Sequence, residues 1–485
     1  MAEELTRSVL MKQNMFGYLQ ALMGFATNFS LAVILPIVMG ANNFGIFSLT
    51  AGFAYLIVGF FAAGFDYPTI RFFSSYWASR RFDKLKAVFL YLIRFKLAIA
   101  AAASLALFLL ADFIAQFYAI PNFSFLLRLA SPLIFFYAAM TSISSAFIAV
   151  RKSETAFAVS IFNGLLVIVL PILLYLAYGV EGAVIGIVLS FALSSFALVL
   201  FWKKISGLSA KKANIDKSEI KTNIFHFSIV SLYNLFLFIG IVILLGLFVS
   251  PSDVAYFKIS LSWFSAAGML IPISSQIFFS SIIGLKASDK PKMDIYLSKI
   301  MRYSSILIIP LMFGIFFLGS DLIRLVYGES FYLAGLSLEV LAGALFFNFM
   351  ASIFYGIMTA YNKVREMALA YFSITVISLV FATVAINYFG LFGASFSFLF
   401  ANALLFFALL FPIERMARLN IGSFVSRPLL AAVVMSLFVV YARTMFPGLA
   451  GKIVLVGLAM LLYFAVLFII KGIAKEDLKL LQAIK

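Results

Sequence analysis

Long apolar stretches alternate with short polar intervals along the whole chain. A transmembrane helix needs roughly 20 mainly apolar residues, and fourteen segments meet this requirement. They are 15–39, 45–68, 87–110, 123–148, 155–178, 181–202, 223–249, 253–277, 297–319, 333–359, 366–387, 391–412, 424–445 and 450–471. The pattern predicts an all-α integral membrane protein with about fourteen transmembrane helices.

The composition agrees with that of a membrane protein and excludes several kinds of chemistry. Of the 485 residues, 64% are hydrophobic and 11% are charged, whereas soluble domains are about 45–50% apolar and about 25% charged. The net charge of +17 comes from short loops between apolar segments. We attribute it to membrane topology and anionic headgroups, and we expect no nucleic-acid partner. The absence of cysteine excludes disulfides, a thiolate nucleophile and a cysteine metal site.

The longest polar interval, 203–221, has six lysines, several turn-forming residues and no aromatic residue. Such a segment cannot bury a core, which predicts a solvated linker. We therefore divide the chain into an N-lobe of six helices (1–202), a linker (203–222), a C-lobe of six helices (223–412), and two further helices with a tail (413–485).

The distribution of Lys and Arg predicts the orientation. With the N-terminus placed inside, the inner segments hold 29 of the 36 basic residues, and the outer segments hold three. Cytoplasmic loops of membrane proteins carry an excess of Lys and Arg. We expect both termini and the linker on the cytoplasmic side of the inner or plasma membrane.

An internal repeat relates the two lobes. The matches are Phe72–Ser75 with Phe278–Ser281 at an offset of 206, Asp112 with Asp321 at 209, and Gly179 with Gly390 at 211. Their order and slowly drifting offset predict that helices 1–6 and 7–12 are parallel repeats related by an axis along the membrane normal. Secondary transporters built in this way bind substrate between the repeats. Helices 13 and 14 have no counterpart.

Four motifs carry a resemblance to a known family. They are Met39–Phe47, Gly64 to Phe72, Leu322–Phe331, and Gly179-x-x-Gly182-Ala183. Because it carries these four motifs, the chain resembles the polysaccharide-transporter (O-antigen flippase-like) family. This family belongs to the multidrug/oligosaccharidyl-lipid/polysaccharide exporter superfamily. The resemblance implies movement of a polyprenyl-(pyro)phosphate-linked saccharide to the outer leaflet, and a groove for its lipid tail at helices 13 and 14. A polysaccharide polymerase and glycosyltransferases are candidate protein partners, beside the membrane lipids.

Charged residues within the predicted spans are candidates for function, because a central charge costs about 2.5–3.5 kcal/mol on insertion scales. We predict a cationic cavity for the pyrophosphate headgroup. Its residues are Arg94, Lys96, Lys258, Arg302 and Arg71. The alternative is that these long side chains extend toward lipid headgroups at the nearer membrane surface.

A second set of charges suggests a gate. Arg128 and Glu339 lie at repeat-equivalent positions, 211 residues apart, near the predicted outer face. They either pair across the mouth of the cavity or are unrelated residues at its rim. Asp66 is expected to pair locally or with Arg94, and a role in proton coupling is the weaker alternative.

The remaining function classes differ in the residues that they need. No G-x-x-x-x-G-K-[ST] motif occurs, so we expect no P-loop nucleotide chemistry. With one histidine and no cysteine we expect no metal site, and we expect no cofactor and no enzymatic activity. The closest alternative is a cation-coupled multidrug exporter of the same superfamily, which typically carries acidic residues in helix 1 or 7. Segments 15–39 and 223–249 contain no Asp or Glu. A membrane glycosyltransferase or polymerase usually needs a sizeable outer loop, and the predicted outer connections are short.

Overall fold

The structure of the chain is a computed structural model. It describes residues 2–79, 81–149, 153–205, 224, 228–229, 231–269, 290–361, 363–416 and 421–472. Every regular element in these ranges is helical, which confirms the all-α fold. The chain forms two compact units, Met1–Lys258 and Ile259–Lys485. Most of the predicted linker, 206–222, lies outside the described residues, so the predicted division into lobes stays a prediction.

Within its described residues, the first unit is built from the helices that follow. They are α1 (Ala2–Ala78), α2 (Phe82–Ala115), α3 (Phe123–Ala130), α4 (Pro132–Ala149), α5 (Ser153–Ile205) and α6 (Ile241–Leu245). A π-helical turn, Phe236–Gly240, precedes α6, and both belong to one apolar helix, Ser231–Leu245. Helix α7 (Pro251–Met269) begins in this unit and ends in the next.

Five helices make up the described part of the second unit after α7. They are α8 (Lys290–Tyr327), α9 (Tyr332–Ala360), α10 (Val364–Met416), α11 (Ile421–Ala442) and α12 (Gly448–Ile469). A short 3-10 turn, Glu329–Phe331, joins α8 to α9. Helices α11 and α12 are the counterparts of the two predicted C-terminal helices.

Helix α5 folds back on itself at Gly179, whose backbone is left-handed with φ 64°. A straight helix of its 53 residues would be about 80 Å long, far more than the roughly 30 Å of a hydrocarbon core. Across the break, the side-chain amide of Asn163 donates to the Ser194 hydroxyl at 2.9 Å. The two halves are therefore an antiparallel helical hairpin, as the separate segments 155–178 and 181–202 predict.

Helix α10 repeats this hairpin in the second unit, with its break at Gly390 (φ 51°). The close contact beside the break is also repeated. A Cβ atom at Gly182 would lie 1.9 Å from the Leu174 carbonyl oxygen, and one at Gly393 would lie 2.1 Å from the Ala385 oxygen. Only a glycine fits at such a distance, so the repeated glycines mark equivalent packing.

Contacts between other helices follow the same offset of 211 residues. In the first unit, the rings of Tyr137 on α4 and Phe191 on α5 lie 5.1 Å apart. In the second unit, the side-chain amide of Asn348 on α9 donates to that of Asn402 on α10 at 2.8 Å. The residue types differ but the positions in contact are equivalent. The predicted repeat is confirmed as a structural one.

Helix α1 is interrupted at Gly40 (φ 75°), and its second half packs closely against the end of the first unit. A Cβ atom at Gly45 would lie 1.7 Å from the Pro251 carbonyl oxygen, and one at Gly59 would lie 2.2 Å from Leu235. Residue numbers rise along one partner as they fall along the other. The chain that follows the predicted linker therefore returns antiparallel to the second half of α1.

Nine helices in the described ranges are long and apolar enough to cross a membrane. Three of them, Leu22–Phe60, Glu154–Phe196 and Arg365–Glu414, contain the glycine breaks and exceed the length that one crossing needs. Ser231–Leu245 is a shorter apolar helix. The protein is a multi-pass membrane protein, and the number fourteen stays a prediction.

Candidate functional site

Lys96 is a buried cation on helix α2, with only 1% of its surface exposed. Its ammonium group donates a hydrogen bond of 2.9 Å to the Thr141 hydroxyl on α4. Burying a charged group without hydrogen bonds is strongly unfavourable, so the threonine helps to make this position possible. The side chain points into the packed interior of the first unit.

Arg94 lies two residues earlier on α2, and residues two apart on a helix do not face each other. Accordingly, Arg94 is exposed while Lys96 is buried. Between them, the ring of Phe95 lies 5.7 Å from that of Phe65 on α1. This contact brings the backbone of Asp66 to the level of the two cations. The predicted pairing of Asp66 with Arg94 stays a prediction.

Three further predicted residues lie on helices of the first unit. Asp66 and Arg71 lie on the second half of α1, and their side chains are outside the described residues. Lys258 lies on α7, is partly exposed, and is the last residue of the first unit. Their roles in substrate binding or ion pairing stay predictions.

Arg302 lies on α8 in the second unit and is partly buried. Its guanidinium donates a hydrogen bond of 2.8 Å to the carbonyl oxygen of Gly472, just after the end of α12. Carbonyl groups at a helix C-terminus lack partners within the helix and attract cations. Arg302 therefore ties α8 to the end of the C-terminal helix pair, a contact that the sequence did not suggest.

Arg128 and Glu339, the predicted gate residues, have equivalent neighbours within their own units. Arg128 forms an ion pair with Asp112 near the end of α2. Glu339 accepts a hydrogen bond of 3.0 Å from the backbone N–H of Ser320 near the end of α8. Each residue thus holds its helix to the end of the preceding long helix. The gate between them stays a prediction.

Lys452 is a charged residue that the sequence analysis did not single out. Its ammonium, on α12, forms an ion pair with Asp321 on α8 at 2.7 Å and donates to the Arg443 carbonyl oxygen at 3.0 Å. The internal repeat indicates that a cation must reach Asp321 from outside the repeat. Asp112 pairs with Arg128, but the second repeat has Glu339 at the arginine position, so Asp321 needs a cation from elsewhere.

The chemistry available at these positions is anion binding. Ammonium and guanidinium groups hold phosphate oxygens through charge-assisted hydrogen bonds. In the first unit, Arg94 and Lys96 lie at one level of α2, whereas in the second unit Arg302 is bound to the end of α12. Within the described ranges, no group of three or more His, Cys, Asp or Glu residues is arranged to hold a metal ion.

Comparison with known proteins places the chain in a family. Residues 34–336 match the family described as "Polysaccharide biosynthesis protein". The chain belongs to this family. This match confirms the resemblance inferred from the motifs. No curated protein has a significantly matching sequence.

Solved structures share the fold at low sequence identity. One is described as "Lipid II flippase MurJ, inward closed conformation"; it has a TM-score of 0.71 and 14% identity, covering 96% of this chain and 99% of that one. Another is an inward-facing multidrug resistance MATE family transporter of the MOP superfamily, with a TM-score of 0.63 and 17% identity, covering 82% and 94%. This polysaccharide biosynthesis family member therefore shares its fold with both solved structures.

Proposed function

We propose that the protein is a flippase that moves a polyprenyl-(pyro)phosphate-linked oligosaccharide from the inner to the outer leaflet of the cell membrane. The product would serve the synthesis of a cell-surface polysaccharide such as the O-antigen of lipopolysaccharide. Family membership and the fold shared with a lipid II flippase support this proposal. The observation that carries it is Lys96, a cation buried on a transmembrane helix beside a hydroxyl partner.

The proposed mechanism is alternating access of the two repeats around a cationic cavity. Arg94 and Lys96 on α2, with Arg71 and Lys258, contact the anionic headgroup from the first unit, and Arg302 contacts it from the second. A pyrophosphate crossing the hydrocarbon core loses its hydration, and fixed cations offset that cost. The lipid tail lies along α11 and α12. No covalent step is needed, so we infer a transporter without enzymatic activity.

The topology and partners follow from this proposal. The concentration of basic residues in the predicted inner loops supports cytoplasmic termini in the inner membrane. A polymerase and glycosyltransferases are the proposed protein partners, because they would consume and supply the lipid-linked saccharide.

Flipping in proteoliposomes that contain a polyprenyl-pyrophosphate-linked saccharide tests the role of Lys96. We expect Lys96→Met to lower the flipping rate roughly 10- to 100-fold, since a hydrogen bond to a charged group contributes about 1.5–3 kcal/mol. Lys96→Arg should retain part of the activity. Lys363→Met, which removes an exposed lysine between α9 and α10, is the matched control.

Two outcomes would contradict the proposal at different levels. Full activity of a correctly folded Lys96→Met variant would remove Lys96 from the substrate path. If deletion of the protein in its host causes no accumulation of lipid-linked saccharide on the inner leaflet, the flippase function itself fails.

A cation-coupled multidrug exporter is the second candidate, supported by the fold shared with a MATE family transporter. It is the less favoured one, because segments 15–39 and 223–249 contain no Asp or Glu for cation coupling. Export of a cationic dye that depends on a sodium or proton gradient, and that survives Lys96→Met, would favour this candidate instead.

A further inference from the structure

A proline interrupts the hydrogen-bond ladder of helix α8. Pro310 lies inside this 38-residue helix. Proline has no backbone N–H, so the carbonyl group four residues earlier, that of Ile306, loses its helical partner. Ile306 is buried, with 8% of its surface exposed. No water is available in a hydrocarbon core, so this carbonyl requires a donor from the protein.

Tyr463 on α12 supplies that donor. Its hydroxyl donates a hydrogen bond of 2.9 Å to the carbonyl oxygen of Ile306, and the tyrosine side chain is fully buried. A tyrosine hydroxyl has one proton to donate, and here it takes the place of the N–H that Pro310 lacks. A residue of the C-terminal helix pair therefore completes the hydrogen bonding of α8 beside Pro310, where a proline in a helix interior favours a bend.

Two further contacts join α8 to the same helix pair, one on each side of Pro310. Before the proline, the Arg302 guanidinium donates to the Gly472 carbonyl oxygen at 2.8 Å. After it, Asp321 pairs with Lys452 at 2.7 Å. The stretch from Arg302 to Asp321 is about 28 Å of helix, close to the roughly 30 Å of the hydrocarbon core. A change in the bend would strain at least one of these contacts.

We propose that helix α12 braces the bend of α8 at Pro310, and that Tyr463 is a positioning residue for Arg302. Arg302 lies eight residues before Pro310 on the same helix. The angle at the proline therefore sets where the guanidinium lies relative to the rest of α8. The part that concerns Arg302 rests on the proposed function, in which Arg302 contacts the anionic headgroup; the brace itself does not.

A double-mutant cycle tests the hydrogen bond. Tyr463→Phe removes the donor, and Pro310→Ala returns the backbone N–H that makes the donor unnecessary. We expect Tyr463→Phe to lower the unfolding temperature of the detergent-solubilised protein by several degrees, and by less than half as much in the Pro310→Ala background. Tyr441→Phe, on the 73%-exposed tyrosine of α11, is the matched control and should change nothing. An equal loss in both backgrounds would overturn the assignment.

A distance measurement tests the bend directly. The chain has no cysteine, so Lys299→Cys and Leu325→Cys would place two unique spin labels at exposed positions before and after Pro310. The two positions are roughly 39 Å apart along the helix. We expect Tyr463→Phe to shift or broaden the distance distribution and Tyr441→Phe to leave it unchanged. An unchanged distribution in Tyr463→Phe would overturn the brace.

Transport separates positioning from the proposed function. We expect Tyr463→Phe to raise the half-saturating concentration of the lipid-linked saccharide several-fold, with a smaller effect on the maximal rate. Arg302→Gln should act in the same direction, and the double variant should be no worse than Arg302→Gln alone. If Arg302→Gln impairs transport but Tyr463→Phe leaves half-saturation unchanged, the positioning role fails and the proposed function stands. If the wild-type protein moves no lipid-linked saccharide, the proposed function fails, and the thermal and distance experiments still decide the brace.

Discussion

The two repeats carry equivalent aspartates, one near the end of α2 and one near the end of α8. Each aspartate is paired with a different kind of cation. In the first unit, Asp112 pairs with Arg128, which belongs to the same repeat. In the second unit, Asp321 pairs with Lys452, which belongs to the appended helix α12. The residue equivalent to Arg128 is Glu339, which binds a backbone N–H instead.

The two ion pairs also differ in burial, which decides how much each can contribute. The side chains of Arg128 and Asp112 are 36% and 62% exposed, whereas those of Lys452 and Asp321 are 12% and 20% exposed. Exposed ion pairs contribute little to stability, while removing one partner of a buried pair leaves a costly charge. The comparison indicates that docking of α12 compensates for a charge that the second repeat does not balance by itself.

Removal of Lys452 should therefore give the largest effect. We expect Lys452→Met to lower the free energy of unfolding by about 3 kcal/mol, because Asp321 would keep a poorly hydrated charge. Arg128→Met is the matched change in the first unit, and exposed pairs contribute about 0–1 kcal/mol. Chemical denaturation in detergent micelles measures both. Equal losses in the two variants would mean that burial does not distinguish the pairs.

Gly182 and Gly393 occupy equivalent positions in the two hairpins. Substituting each glycine tests whether the two repeats pack equivalently where their residues are identical. We expect Gly182→Ala and Gly393→Ala to destabilise the protein by similar amounts, about 1–3 kcal/mol each, because each new methyl group would overlap a carbonyl oxygen. Gly457→Ala on α12 is the control, since nothing lies within 4 Å of a Cβ atom there. Thermal unfolding compares the three, and a loss at only one of the two hairpins would contradict equivalent packing.

Much of the fold could be predicted because apolar length and repeated glycines are local signals. The breaks at Gly40, Gly179 and Gly390 fall between predicted helices. Helix ends were less predictable. Helix α8 begins at Lys290 and ends at Tyr327, well beyond the predicted 297–319. Apolar length marks the part of a helix inside the hydrocarbon core, whereas its polar ends continue outside it.

The partners in the candidate site could not be predicted, because they depend on tertiary packing. Thr141 lies 45 residues from Lys96 in sequence, and Tyr463 lies 157 residues from Ile306. Pro310 signals that some donor must reach α8, but the sequence does not identify the donor. The charges themselves were visible as rare residues within apolar segments, and their neighbours were not.

The smallest expected effect comes from transferring the first repeat's solution to the second. Glu339→Arg places an arginine where the first repeat has Arg128. The new arginine would lie within reach of Asp321, the residue equivalent to Asp112. In a Lys452→Met background, we expect this change to recover about 1 kcal/mol of the lost stability, since the new pair resembles a partly exposed one. Chemical denaturation of the single and double variants measures the recovery, and Glu339→Gln, which removes the acid without adding a cation, is the control. Recovery in Glu339→Gln equal to that in Glu339→Arg would mean that relief of repulsion explains the gain. No recovery in either variant would mean that Asp321 accepts a cation only from α12.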